Sequence, residues 1–184
     1  MPLNNFTPNL TMKKIFSVLI VLIISCNTTI AISQSAIGNA VIRVFDESIP
    51  LYNKSCEIID TIVCDIDKDL LYSVSIFKIK NNYAYIYASC VINNISSIEK
   101  EGWIKLEYLG INPANCSNGL ILRKRPSNNA KVKRNILNPS WGDLYPIKKA
   151  HRGWLYIETI INNIQYSGWI SPEQQCSNPY SSCC

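Results

Sequence analysis

Six basic side chains fall close together at Arg123, Lys124, Arg125, Lys131, Lys133 and Arg134. Guanidinium and ammonium groups at such density can cradle carboxylates or phosphates through charge-assisted hydrogen bonds. The same run can also be a solvated loop and strand face. Trp141 follows in the turn Asn138-Pro139-Ser140-Trp141-Gly142, where a large ring has little packing excuse. Trp141 and Tyr145 for apolar contact, with Arg123 and Arg125 for anionic groups, make a candidate ligand-binding set. Trp154 is added as a further ring, although a Trp after Gly is more often a core or barrel-lining residue.

Catalysis finds no comparable support. His151 is the only histidine, and it sits in a basic stretch, Lys148-Lys149-Ala150-His151-Arg152-Gly153, that reads as a turn. A Cys–His pair needs a thiolate, a base and an orienting third group together, and no cysteine stands in a recognisable nucleophile context. The chain is expected not to be an enzyme, with no catalytic residue. Zinc is disfavoured, because Cys-x-x-Cys spacing is absent and Cys183 and Cys184 are adjacent. No metal and no cofactor is expected.

Eight cysteines in 184 residues are better explained by disulfides in an oxidising compartment. Cys64 and Cys90 end two strands that a meander could bring together. Cys116 precedes the first strand of the second half, and Cys176, Cys183 and Cys184 follow the last, so a bridge from Cys116 to the carboxyl-terminal group is plausible. The connectivity itself is not readable.

The elements that must position these groups are strands. The composition is 47% hydrophobic and 17% charged, which is globular rather than disordered. Ile and Tyr favour strands and Asn favours the turns between them. Alternation predicts strands over Ala40–Val44, Glu57–Val63, Leu70–Lys80, Tyr83–Ala88, Leu120–Arg123, Val132–Leu137, Asp143–Ile147, Gly153–Thr159 and Tyr166–Ile170. Asn81-Asn82 and Asn162-Asn163 read as tight turns. Asp46 to Asn53, with Pro50, and Asn93 to Lys100 read as loops.

The order of strands occurs twice. Val132 and Ile136 match Ile58 and Ile62 at an offset of 74, and Asp143-Leu144 matches Asp69-Leu70 at the same offset. Gly153-Trp154 is aligned with Ala84-Tyr85, and Gly168-Trp169 with Gly102-Trp103. Charge divides along the same line. Residues 36–110 hold seven basic and ten acidic side chains, net −3, whereas residues 111–184 hold nine and three, net +6. The expected organisation is 1–35 as upstream residues and signal peptide, 36–111 as one β domain and 112–184 as a second with a Cys-rich tail.

Met12-Lys13-Lys14 opens a positive segment, and Ile15 to Ile24 is apolar but for Ser17. That is the pattern of a secretory signal peptide, too short to span a bilayer comfortably. Two processing routes fit. Ile23-Ile24-Ser25-Cys26 resembles a bacterial lipobox, with Cys26 lipidated, and Thr29-Ile30-Ala31 offers an ordinary cleavage site. Either route exports the chain to the periplasm or the exterior, the first with a lipid anchor.

Leu122-Arg123-Lys124-Arg125-Pro126-Ser127, then Gly153 to Ile157, then Gly168 to Ile170, resemble the bacterial SH3-like domain. The first half keeps Gly102-Trp103-Ile104 and has Tyr85 where the earlier Trp would stand. The resemblance implies an all-β chain of two small five-stranded barrels in tandem and a binding role at the cell envelope, often toward peptidoglycan peptides. The expectation is a non-catalytic exported protein that recognises a wall peptide or an anionic glycan in a shallow groove of the second barrel. The alternatives are a structural or protein-interaction subunit, or a targeting module for a separately encoded wall hydrolase. Nucleic acid is not an expected partner, because an exported chain seldom meets it and the acidic half would repel it.

Overall fold

The computed structural model describes residues 35–92, 96–114, 119–139 and 143–178. The signal segment with Cys26, and Cys116, Trp141, Cys183 and Cys184, lie outside the described residues. The first strands are β1 (Gly38–Ile42), β2 (Ser48–Tyr52), β3 (Ile58–Val63), β4 (Ser73–Lys80), β5 (Tyr83–Ile92), β6 (Ser96–Lys105) and β7 (Leu109–Pro113). They are followed by β8 (Leu120–Arg123), β9 (Val132–Ile136), β10 (Tyr145–His151), β11 (Trp154–Ile161), β12 (Ile164–Ile170) and β13 (Gln175–Cys176). Short 3-10 turns, Leu106–Tyr108 and Pro172–Gln174, precede β7 and β13. The described strands belong to one compact unit and pair antiparallel.

The pairing pattern is duplicated strand for strand. β4 pairs with β5 and β5 with β6, as β10 pairs with β11 and β11 with β12. β2 pairs with β3 and touches β6, as β8 pairs with β9 and touches β12. β1 pairs with β4 and β7, as β7 pairs with β10 and β13. β7 therefore closes the first repeat and opens the second. Even the irregularities recur, with register shifts at Ile76/Lys78 and Ile147/Lys149, and at Leu51/Tyr52 and Leu122/Arg123. The offset of 74 holds for β3 and β9. In the hairpins Tyr83 lies opposite Lys80, and Trp154 opposite His151. Trp154 is thus the counterpart of Tyr83, two residues from the alignment with Tyr85.

Two-residue periodicity builds the core. In β5, Ala84, Ile86 and Ala88 are fully buried, whereas Tyr83, Tyr85 and Tyr87 stand half-buried on the outer face. The buried aliphatics of both repeats form one continuous cluster, from Ala40 to Ile170. Each fully buried Ile or Leu contributes about 1.5–3 kcal/mol. The hairpin turns use residues that tolerate left-handed backbone. Asn81-Asn82, Arg152-Gly153 and Asn162-Asn163 all have positive φ at both positions, the type I′ geometry that matches strand twist.

Several expectations are corrected. The chain is all-β, but its sheet is an open path with β3 and β9 at its ends, not two closed barrels. β2 meets β6 only at Tyr52 opposite Trp103, and β8 meets β12 only at Arg123 opposite Trp169, so neither contact seals a barrel. The segment read as a loop around Pro50 is β2. Pro50 faces Thr61 of β3 and has no β6 partner opposite it, so its missing N–H breaks no ladder there. β6 begins at Ser96, inside the segment read as a loop, and β10 runs through the Lys148–His151 stretch read as a turn.

Gly102 and Gly168 mark the places where β2 and β8 cross their neighbours. A Cβ at Gly102 would lie 3.2 Å from the Leu51 Cβ and 3.3 Å from the Tyr52 carbonyl oxygen. At Gly168 it would lie 2.8 Å from the Leu122 Cβ and 3.1 Å from the Arg123 carbonyl oxygen. The Gly102-Trp103 and Gly168-Trp169 steps are therefore crossing points. Gly168→Ala is expected to destabilise the protein by about 1–3 kcal/mol and Gly102→Ala by less. Urea unfolding checks this, with a lowered midpoint and an unchanged slope.

Candidate ligand-binding cleft

The outer face of the β2-β6-β5-β4 sheet carries a grid of rings and ammonium groups. Tyr52, Trp103 and Tyr85 form one row across three strands, because they are directly opposite one another in register. Lys78 extends that row on β4, and Lys105, Tyr83 and Lys80 form the next. Tyr85 and Trp103 lie 5.5 Å apart between ring centroids, and Tyr52 and Tyr83 meet edge to face at 5.7 Å. Tilted and edge-on contacts of this kind hold rings in place without stacking them flat.

A cleft of about 510 Å³ opens at this corner. Its aromatic walls are Tyr52, Tyr83 and Trp103, and its basic groups are Lys54, Lys78 and Lys80. Asn53, Cys56 and Asn81 complete the lining, and no carboxylate is among these lining residues. The indole Nε1 of Trp103 is buried and has no hydrogen-bond partner among the described residues. A buried donor left unmatched costs about 1–3 kcal/mol.

The wall that bears Lys54 and Cys56 is locked by Asn53. Its Oδ1 accepts from the backbone N–H of Ser55 at 2.8 Å and of Glu57 at 3.0 Å. Its side-chain amide donates to the Glu57 carboxylate at 2.7 Å. Cys56 takes positive φ within this turn and is an exposed free thiol. At the far end of the same outer face the chemistry reverses. Tyr85 donates to the Glu101 carboxylate, which raises its pKa, and Tyr87 is raised by its hydrogen bond to Glu99. The face thus runs from cationic at the cleft to anionic at the far end.

Of the residues singled out from sequence, the described ones are not gathered into one groove. Tyr145 is buried in the core at 4% exposure, and Trp154 is buried at 8%. The Tyr145 hydroxyl donates to the Asp143 carboxylate at 3.3 Å. Arg123 faces Trp169 across the β8–β12 contact, and its guanidinium donates to the Ala130 carbonyl at 2.8 Å. Arg125 is exposed on the following loop. The cleft residues were legible only as alternation. Lys78-Ile79-Lys80 and Tyr83-Ala84-Tyr85 each put their polar or aromatic members on one face, and an Asn-Asn turn folds the two faces together.

Cys64 and Cys90 are buried free thiols, so the bridge that a meander could have allowed between them is absent from the structure. Burial pushes the Cys64 thiol up to about 12, against the opposing hydrogen bond from the Tyr72 backbone. Cys176 is disulfide-bonded, to a partner outside the described residues.

No protein-family model matches the chain, and no curated protein and no solved structure is significantly similar to it.

Burial separates the free thiols by reactivity. In reduced native protein near pH 8, iodoacetamide is expected to alkylate Cys56 readily. Cys64 and Cys90 should react only once urea has unfolded the chain, as mapped by peptide mass spectrometry.

Proposed function

We propose that the chain is a non-catalytic, exported binding protein built of two SH3-like repeats, which holds an anionic glycan of the cell envelope in the Tyr52–Trp103 cleft. One observation carries this reading. The first half is net acidic, yet three of its seven basic side chains, Lys54, Lys78 and Lys80, converge on a single aromatic cleft lined by no carboxylate. Ammonium groups repel cationic ligands and attract anionic ones, and low-dielectric walls strengthen the attraction. Aromatic rings offer flat apolar surface to the C–H faces of a sugar, which favours a glycan over a flexible peptide.

Electrostatic binding of this kind weakens with salt. A second reading, a protein-interaction subunit, is favoured by the edge strand β3, which exposes Ile58 at 63% and Ile59 at 55%. An unpaired edge of that sort can accept a strand from a partner.

Cys56 reports on the cleft directly, since it lines it. Tetragalacturonate, an acidic sugar oligomer, is expected to slow alkylation of Cys56 in the wild type at low salt, and neutral cellotetraose is not. The Lys78→Gln, Lys80→Gln double variant should need about tenfold more tetragalacturonate for the same protection. Equal protection of wild type and variant, or none in the wild type, would contradict the reading.

A further inference from the structure

We propose that the second repeat carries a second glycan site, equivalent in position to the first, so that the chain is bivalent toward a glycan with repeated acidic units. This inference rests on the reading of the first cleft. It follows from the duplicated register. Trp169 is the counterpart of Trp103, because each lies one residue beyond the glycine at a crossing point and opposite the last residue of the crossing strand. Tyr156 faces Trp169 as Tyr85 faces Trp103, and the ring centroids are 5.3 Å apart in one pair and 5.5 Å in the other. Lys149 faces Tyr156 as Lys78 faces Tyr85, and His151 faces Trp154 as Lys80 faces Tyr83.

A separate cleft of about 420 Å³ lies at this place. Its lining includes Lys149, His151 and Trp169, with Pro126 from the loop after β8. That loop corresponds to the one after β2 that brings Lys54 and Cys56 to the first cleft. The Lys149 ammonium lies 5.7 Å from the Tyr156 ring centroid, a cation–π contact that holds the charge over the aromatic row. No carboxylate is among the lining residues.

The two sites are not copies in detail. Arg123 stands where the first repeat has Tyr52, and it is held by the Ala130 carbonyl. His151 stands where the first has Lys80. The second site keeps the chemistry, rings beside hydrogen-bond donors and positive charge, with less aromatic wall.

The two clefts flank β4. Lys78 and Lys80 line the first, and Ile79, which alternation turns to the other side of the strand, lines the second. A repeating polyanion that occupies one site raises the local concentration of acidic units at the other.

Equilibrium dialysis of the whole chain with tetragalacturonate tests the proposal. The wild type is expected to bind two molar equivalents. The Lys149→Gln, His151→Gln double variant should bind one and still show ligand protection of Cys56. The Lys78→Gln, Lys80→Gln variant should bind one and lose that protection. On immobilised polygalacturonate each double variant should be retained about tenfold less tightly than the wild type. These substitutions fall on exposed side chains, and circular dichroism checks that each variant folds. One equivalent in the wild type, unaffected by Lys149→Gln and His151→Gln, overturns the second site and leaves the first standing. No bound tetragalacturonate in the wild type overturns both.

Discussion

Two close backbone crossings, β2 over β6 at Gly102 and β8 over β12 at Gly168, are the constraint on which the rest of the structure depends. At each crossing the missing Cβ lets one strand lie against another where any side chain would intrude. The crossing leaves the next residue, Trp103 or Trp169, facing outward beside a tyrosine of the neighbouring strand. Without it, the outer rows of rings would have no common surface. The same crossings limit the sheet, because each joins its strands at one residue pair and leaves β3 and β9 as open ends.

Charge is then arranged on that surface rather than by overall composition. The first half is net −3, which would argue against an anion site if charge were spread evenly. Strand alternation instead segregates it. Lys78 and Lys80 share a face with Tyr83, while Glu99 and Glu101 are drawn to the tyrosines at the far end. The Asx turn at Asn53 fixes the loop that adds Lys54. Local concentration of ammonium groups beside apolar rings matters more for recognition than the sum over a domain.

Much of the fold was readable because it is periodic. The alternation of Tyr83-Ala84-Tyr85-Ile86-Tyr87 is the burial pattern of β5, and the Asn-Asn pairs are type I′ turns. The offset of 74 between Ile58 and Val132 is the true correspondence of β3 and β9. Pro50 concealed β2, since nothing local says that the strand lacks a second partner at that residue. The cleft was not legible for a related reason. Arg123 to Arg134 are conspicuous because they are close in sequence, whereas Tyr52, Lys78, Lys80 and Trp103 are scattered over three strands. Their convergence is set by cross-strand register, a long-range property. Tyr145 stands after a turn and packs into the core, because a turn alone does not tell which face a strand buries, and Trp154 is buried, as a Trp after Gly often is.

The central claim is that the Trp103 corner receives an acidic sugar. The most direct measurement is a nitrogen–proton correlation spectrum of the labelled protein during titration with tetragalacturonate, which follows the tryptophan indole N–H signals one by one. The account predicts a saturable shift of the Trp103 indole N–H signal as the sugar seats against the ring that lines the cleft. A Trp103 signal that does not move at concentrations that saturate the protein would contradict it.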